Sequence, residues 1–131
     1  MNKEIRIPSR IENISMIENL IDEVSIELGL VADLYGNVLI AVIEAVTNAI
    51  VHGNKLQEDK FVSIWLKSEN TNLEVKIQDE GNGFEFDNVP DPTKPDNVEK
   101  PDGRGVFLMK HLADGISFDK GGSIVVLKFS I

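Results

Sequence analysis

The chain has 131 residues, of which 42% are hydrophobic and 27% charged, ordinary values for one globular domain. Its 13 Lys+Arg and 22 Asp+Glu give a net charge of -9, which argues against a nucleic-acid or anionic-membrane binder because such proteins need a basic face. The absence of cysteine excludes disulfides, cysteine-ligated zinc and thiol catalysis. No signal-peptide core is visible, and the longest apolar run, 38–51, is interrupted by Glu44 and Asn48 and is shorter than a membrane span. We therefore expect one cytoplasmic domain, residues 1–131, with no nucleic-acid or membrane partner.

The N-terminal segment predicts one strand followed by a helix. Residues 3–7 alternate between charged and apolar side chains, which indicates a strand that Pro8 ends. Ser9 and Glu12 have the spacing of a capping box, so we expect Ser9 to cap a helix that runs to Gly29.

The rest of the chain predicts a second, longer helix and a sheet. Asp33 is the expected cap of this helix, which continues to about Gly53. The remaining predicted elements are strands at 61–66 and 73–79, a helix at 106–113, and a closing hairpin of strands at 115–119 and 123–131. Residues 81–103 contain four prolines and no periodicity, and long loops of this kind in compact domains tend to be functional lids or disordered. Hairpins with helices on one face predict an α+β fold, a two-layer α/β sandwich whose sheet is mixed but mostly antiparallel.

Two polar residues interrupt the apolar second helix. Glu44 and Asn48 lie one turn apart, and with His52 they form a narrow stripe on an otherwise apolar helix. A buried carboxylate is costly unless it is paired, so the stripe indicates a helix that lines a metal or nucleotide pocket. An Asn carbonyl oxygen suits Mg²⁺, and a neighbouring carboxylate can act as a general base. The alternative is a Glu–Asn hydrogen bond that only maintains packing, with His52 as an ordinary helix-end residue.

The segment Asp79-Glu-Gly-Asn-Gly83 follows a predicted strand. Because side chains alternate along a strand, Asp79 faces the same way as the apolar residues at 73, 75 and 77, toward the helices. An inward carboxylate needs a specific donor, and the amino group of adenine is such a donor. Gly81 and Gly83 would let the backbone approach a flat base. The alternative is a plain turn, for which Asp and Gly are also suited.

Gly103-Arg104-Gly105 follows the long loop and precedes a predicted helix. Glycine N–H groups at a helix N-terminus can bind phosphate, and Arg104 can contact a phosphate directly. The alternative is an ordinary flexible hinge.

The three motifs, in this order, resemble those of the GHKL (Bergerat-fold) ATPases over about residues 5–131. Glu44 and Asn48 resemble the N box, residues 79–83 the first glycine box, and residues 103–109 the second. Within that superfamily, Glu-Ala-Val-Thr-Asn-Ala-Ile-Val-His-Gly at 44–53 is most similar to the RsbW-type anti-sigma factors, which are serine-protein kinases.

The resemblance implies a role for each matching residue. Glu44 would be the catalytic base toward a serine hydroxyl, Asn48 the Mg²⁺ ligand, and Asp79 the acceptor for the adenine amino group. Residues 84–104 would be the ATP lid, an assignment that rests on position alone. The implied cofactor-binding residues are Asn48, His52, Asp79, Gly81, Gly83, Phe84, Gly103, Arg104, Gly105 and Val106.

The implied function is that of an ATP-dependent anti-sigma factor with serine-protein kinase activity toward a STAS-domain anti-anti-sigma protein. Its cofactors would be ATP or ADP and Mg²⁺, its partners a sigma factor and the STAS protein, and a homodimer is a further possibility. The alternative is a nucleotide-gated binding module with little or no kinase activity, but such a module needs no base, so Glu44 favours the enzyme. A sensor histidine kinase domain is disfavoured because no phosphoacceptor hairpin fits before residue 10, and gyrase- or chaperone-like ATPases need further domains.

Overall fold

The computed structural model describes residues 1–81 and 101–131, with the backbone alone given for residues 101–104. Gly83, Phe84 and most of the expected lid at 84–104 therefore lie outside the described residues, as does the side chain of Arg104. The strands are β1 (Asn2–Pro8), β2 (Phe61–Glu69), β3 (Asn72–Gln78), β4 (Gly115–Asp119) and β5 (Ile124–Ser130), and the helices are α1 (Ile14–Leu28), α2 (Ala32–Asn48) and α3 (Pro101–Leu112). A π-helical turn, Ala49–Gly53, extends α2.

The five strands form one sheet in the order β1-β2-β3-β5-β4. All four pairings between the described strands are antiparallel, so the mostly antiparallel character expected from the sequence is confirmed and no parallel pair occurs among these strands. Every second residue is buried in β2 as far as Leu66 and throughout β3, because one face of the sheet packs against the helices and the other does not. Helix α2 contacts α1, α3, β3 and β5, so it is the central element of the helical layer. The predicted α+β two-layer sandwich is confirmed.

The start of α1 differs from the predicted capping box. The helix begins at Ile14 after a short 3-10 turn, and its N-cap is Asn13 rather than Ser9. The Ser9 hydroxyl instead donates to the carbonyl of Lys60 at 2.7 Å, a long-range bond that takes the hydroxyl away from the local cap. The predicted end is confirmed, because Gly29 closes α1 in the left-handed conformation with φ 63°.

The start of α2 also differs from the prediction. Its N-cap is Val31, and Asp33 lies inside the first turn. A carboxylate there still favours the helix through the positive end of the helix dipole. The sequence therefore identified the correct helix terminus, but Asp33 stabilises it through the helix dipole and not as the N-cap.

The helical run formed by α2 and its π-helical turn, Ala32–Gly53, is longer than the apolar run noticed in the sequence. Its 22 residues are long and apolar enough to cross a membrane by length and composition alone. In this fold the run is the core helix, since Val38, Val42 and Val46 on it are fully buried by the sheet and the neighbouring helices. Packing inside the protein accounts for its apolar composition.

Candidate functional site

Glu44 and Asn48 on α2 face the same small space beside α3. A Cβ atom placed on Gly105 of α3 would lie 3.1 Å from Glu44 Oε2 and 3.2 Å from Asn48 Oδ1. It would also lie 3.0 Å from Asn48 Nδ2. Gly105 therefore approaches both side chains closely because it has none of its own, and residues 44–48 of α2 and Gly105 of α3 meet in space.

The hydrogen bonding of the Asn48 side chain bears on whether this helix lines a functional site or only carries a packing bond. Its side chain is 7% exposed, and its Nδ2 atom is a buried donor without a hydrogen-bond partner among the described residues. A Glu44–Asn48 packing bond would need this atom as its donor, because an ionised carboxylate only accepts. The Glu44–Asn48 hydrogen bond of the packing alternative is therefore absent among the described residues. A buried amide that stays unpaired costs about 1–3 kcal/mol, so this group is a candidate for contact with a ligand.

Asp79 follows β3 and points into the helical layer, as the strand alternation predicted. It is only 5% exposed, and its Oδ1 accepts the Gly81 N–H at 2.8 Å. Gly53, at the end of the π-helical turn, lies against the carboxylate, since a Cβ on Gly53 would be 2.3 Å from Asp79 Oδ2. Gly81 in turn lies against Gly53, because a Cβ on Gly81 would be 1.9 Å from the Gly53 carbonyl oxygen. Two glycines thus form the walls that hold this carboxylate.

Burial raises the pKa of the Asp79 carboxyl above its ordinary value of 3.8, because a low-dielectric environment disfavours the charged form. The hydrogen bond from the Gly81 N–H and the positive charge of Lys60 act in the opposite direction and favour the carboxylate. The Gly81 bond uses one of the roughly four acceptor positions of a carboxylate, so the group retains capacity for a ligand donor.

The second glycine segment lies inside a helix rather than before one. Helix α3 starts at Pro101, whereas the sequence prediction placed its start at Val106 and left Gly103 and Gly105 in a preceding loop. Proline is favoured in the first turn of a helix and glycines are tolerated inside it at a cost of about 1 kcal/mol each, so the earlier start is physically reasonable. Val106 is buried in the core at 1% exposure, and any contact between Val106 and a nucleotide would use its backbone.

His52, the third member of the predicted stripe, lies in the last turn of the π-helical extension and is partly buried. The π-helical turn places one more residue in each turn than an α-helix does, so the simple α-helical projection of the stripe ends at Asn48. A role for His52 in nucleotide binding remains a prediction.

Sequence reasoning missed two residues that shape the site, Gly53 and Asn54. Gly53 was noticed only as the expected helix end and the last residue of the 44–53 segment, yet it contacts the Asp79 carboxylate directly. Asn54 is fully buried, and its side chain joins three parts of the chain, Ser9, Phe61 and Glu80. The strand end at Pro8 and the helix end at Gly29 could be recognised from local spacing. The contacts of Gly53 with Asp79, and of Asn54 with Ser9 and Glu80, join residues distant in the sequence and leave no periodic signal.

Comparison with known proteins agrees with this geometry. The sequence profile of the histidine kinase-like ATPase domain matches residues 7–129. Proteins named serine-protein kinase RsbW, from Bacillus cereus strain AH820 and Bacillus thuringiensis strain Al Hakam, are each 28% identical over 134 residues, which covers 96% of this chain and 83% of theirs.

The fold is also found in a crystal structure of the RsbU and RsbW domains of a Mycobacterium tuberculosis protein. That structure superposes with a TM-score of 0.67 at 14% identity, covering 99% of this chain and 32% of the other. This chain thus spans about a third of that larger protein, and the likeness supports the fold alone. The match of the family profile over most of the length, together with the sandwich fold, establishes that the chain belongs to the histidine kinase-like ATPase domain family, a family whose ligand is ATP.

Proposed function

We propose that the chain is an ATP-dependent serine-protein kinase that also acts as an anti-sigma factor. The relatives named serine-protein kinase RsbW support this assignment, because they match over 96% of the chain. Its protein substrate would be a STAS-domain anti-anti-sigma protein, its second partner a sigma factor, and its location the cytoplasm. Nucleotide state would decide which partner is bound, so the two protein affinities would be coupled through the ATP site.

The observation that carries the proposal is the convergence of Glu44 and Asn48 on the space beside Gly105. Glu44 Oε2 and Asn48 Oδ1 lie 3.1 and 3.2 Å from one common point, the position of a Cβ on that glycine. A proton acceptor and a neutral oxygen ligand side by side are what phosphate transfer to a hydroxyl requires. A module that only binds nucleotide needs no proton acceptor at this point.

The donor set near Asn48 fits Mg²⁺ bound to a nucleotide. Among residues 1–81 and 105–131 no cluster of three or more His, Asp or Glu side chains could hold a metal ion by itself. Mg²⁺ usually takes one or two protein oxygens and completes its shell with water and substrate phosphates. Asn48 Oδ1 would supply such an oxygen, and the ion, when bound, would neutralise charge on the phosphates.

The opposite end of the site suits the base of the nucleotide. Asp79 is buried between Gly53 and Gly81 and would accept a hydrogen bond from the adenine amino group. The two glycines let the Asp79 carboxylate and the Gly53 backbone pack closely, because a Cβ on Gly53 would collide with Asp79 and a Cβ on Gly81 with the Gly53 carbonyl. Gly103, Arg104 and Gly105 would contact the phosphates, and residues 84–104 would close over them as a lid.

Within this arrangement Glu44 would take the proton of the serine hydroxyl as the serine oxygen bonds to the γ-phosphorus. The bond from that phosphorus to the β–γ bridging oxygen breaks, and ADP leaves with the electron pair. The buried wall formed by α2 and α3 would keep water from competing with serine.

The proposal is tested by isolating the chain with its partners from its native cell and supplying γ-labelled ATP with Mg²⁺. We expect label on a serine of a small co-purified STAS-domain protein, and a sigma factor in the same preparation. ATP labelled at the α-phosphate should leave the protein unlabelled, because that phosphate stays on the ADP that leaves, and serves as the control. Tight nucleotide binding without any labelled protein would replace the kinase with the nucleotide-gated binding module.

A further inference from the structure

We propose that Asn54 is a positioning residue that holds Asp79 in place for adenine recognition. The inference rests on the proposed function, because it takes Asp79 as the acceptor for the adenine amino group. Asn54 itself would not touch the nucleotide. It would act through the backbone on either side of Asp79.

Asn54 joins three chain segments at the end of the sheet where Asp79 lies. Its side chain is fully buried, and its Nδ2 donates to Ser9 Oγ at 2.8 Å and to the Phe61 carbonyl at 3.0 Å. Its Oδ1 accepts the backbone N–H of Glu80 at 2.7 Å. Glu80 is the residue directly after Asp79, so one amide group connects the start of β2, the end of β1 and the end of β3.

Asp79 is thereby held on both sides. Its own N–H donates to the Ser123 carbonyl at 2.9 Å, which extends the pairing of β3 with β5 by one residue. The next N–H, that of Glu80, is held by Asn54, and the Glu80 carboxylate accepts the Phe61 N–H. With both flanking peptide groups bonded, the Asp79 side chain has little freedom to turn away from the site.

The backbone around Asn54 is also unusual in a way that agrees with a positioning role. The Asn54 N–H donates to Ala49 O at 2.8 Å, which closes the π-helical turn that ends at Gly53. Lys55 and Leu56 follow with φ angles of 53° and 60°, a left-handed conformation that is unfavourable for both side chains. π-helical turns and strained residues concentrate at functional sites. Here they bring Gly53 against the Asp79 carboxylate and Asn54 into the strand ends.

Loss of the Asn54 amide should therefore affect recognition of the base more than recognition of the phosphates. Without it the Glu80 N–H and the Phe61 carbonyl lose a partner at the strand ends, and the peptide after Asp79 can move. Asn48 and Gly105, at the phosphate end, make no hydrogen bond with Asn54 among the described contacts. A purely structural role would weaken both halves of nucleotide binding equally.

The experiment compares the affinities of ADP and of purine riboside 5′-diphosphate, which lacks the 6-amino group, by titration calorimetry. In the wild-type protein ADP should bind about 10- to 150-fold more tightly, the range expected for one hydrogen bond to a buried charged group. Asp79→Asn should bring this ratio close to one. Asn54→Ala should lower the ratio at least about threefold while changing the affinity of the analogue less than that of ADP.

Two further variants complete the test. Asn13→Ala is the matched control. Asn13 Nδ2 donates to the nearby Pro8 carbonyl at 2.9 Å and does not reach the strand end that carries Asp79. The affinity ratio of ADP to the analogue in this variant should equal the wild-type ratio. Ser9→Ala removes one acceptor of the Asn54 amide and should lower the ratio in the same direction by a smaller factor. This variant decides the question if Asn54→Ala does not fold.

The outcomes separate the two proposals. A wild-type ratio near one would overturn the adenine assignment of Asp79 and with it this inference. A large wild-type ratio that Asp79→Asn abolishes, but that Asn54→Ala and Ser9→Ala leave unchanged, would overturn the role of Asn54 alone. Equal weakening of both nucleotides in Asn54→Ala would identify Asn54 as a purely structural residue.

Discussion

Substitution of Gly81 by alanine tests the close packing that holds Asp79. A Cβ on Gly81 would lie 1.9 Å from the carbonyl oxygen and 2.6 Å from the carbonyl carbon of Gly53, whereas real Cβ contacts are essentially never shorter than 3.0 Å. Both contacts involve backbone atoms, so no side chain can rotate to relieve them. The end of β3 and the π-helical turn must therefore separate by about 1 Å.

Such overpacking typically costs about 1–3 kcal/mol. For a domain of this size that corresponds to a fall in Tm of about 3–15 °C. The same displacement moves Asp79 relative to Gly53, so ADP affinity should fall by about tenfold, comparable with the loss of one hydrogen bond.

Gly36→Ala provides the matched control, because nothing lies within 4 Å of a Cβ at that position in α2. Replacing an unhindered helical glycine by alanine should stabilise the protein by about 0.5–1 kcal/mol, so the two variants should shift Tm in opposite directions. Thermal unfolding by circular dichroism and ADP titration are the assays. Equal or higher Tm for Gly81→Ala than for the wild type would refute the packing argument.

Three further predictions concern the phosphate end and the acid–base behaviour of the site. Asn48→Ala should abolish the gain in ADP affinity that Mg²⁺ produces while leaving metal-free affinity nearly unchanged, and titration with and without Mg²⁺ measures both. Gly105→Ala should press on Glu44 and Asn48, at 3.0–3.2 Å, and slow phosphate transfer by about tenfold with little change in Tm. ADP affinity should rise as pH increases through the pKa of Asp79, which burial raises above 3.8, because the carboxylate is the better acceptor, and Asp79→Asn should flatten this part of the profile.

The raised pKa of Asp79 also affects the stability of the nucleotide-free protein. Because the folded pKa of Asp79 is higher than the unfolded one, its contribution to the unfolding free energy is present below 3.8 and is lost as pH rises through the folded pKa. Ionised Asp79 therefore opposes folding at neutral pH. Binding of a donor such as adenine would offset this cost.

Local periodicity was enough to predict the parts of the site that lie on regular elements. The helical spacing of Glu44 and Asn48 identified the polar stripe on α2, and the strand period of two placed Asp79 on the inner face. Both predictions depend on the geometry of a single element, which sequence carries directly. The sheet and the two-layer arrangement followed from the same patterns.

Features that depend on contacts between distant segments were not visible in the sequence. The local sequence predicted that Ser9 caps a helix. Its actual bonds are with Lys60 and Asn54, far along the chain, and such bonds give no local signal. The start of α3 at Pro101 was missed because residues 81–103 were assigned to a loop on their prolines and their lack of periodicity, although the packing of Met109 against the core stabilises the helix. Tertiary contacts override local propensity at each of these positions.

The most direct test of the central claim is a comparison of wild-type protein with Glu44→Gln in two assays, ADP affinity and phosphate transfer to the co-purified STAS-domain protein. Glutamine retains the shape of Glu44 but cannot accept a proton from serine. We expect ADP affinity within about threefold of the wild-type value and transfer reduced by about 100-fold or more. Transfer at the wild-type rate would contradict the account, because Glu44 would then be a structural residue rather than the catalytic base.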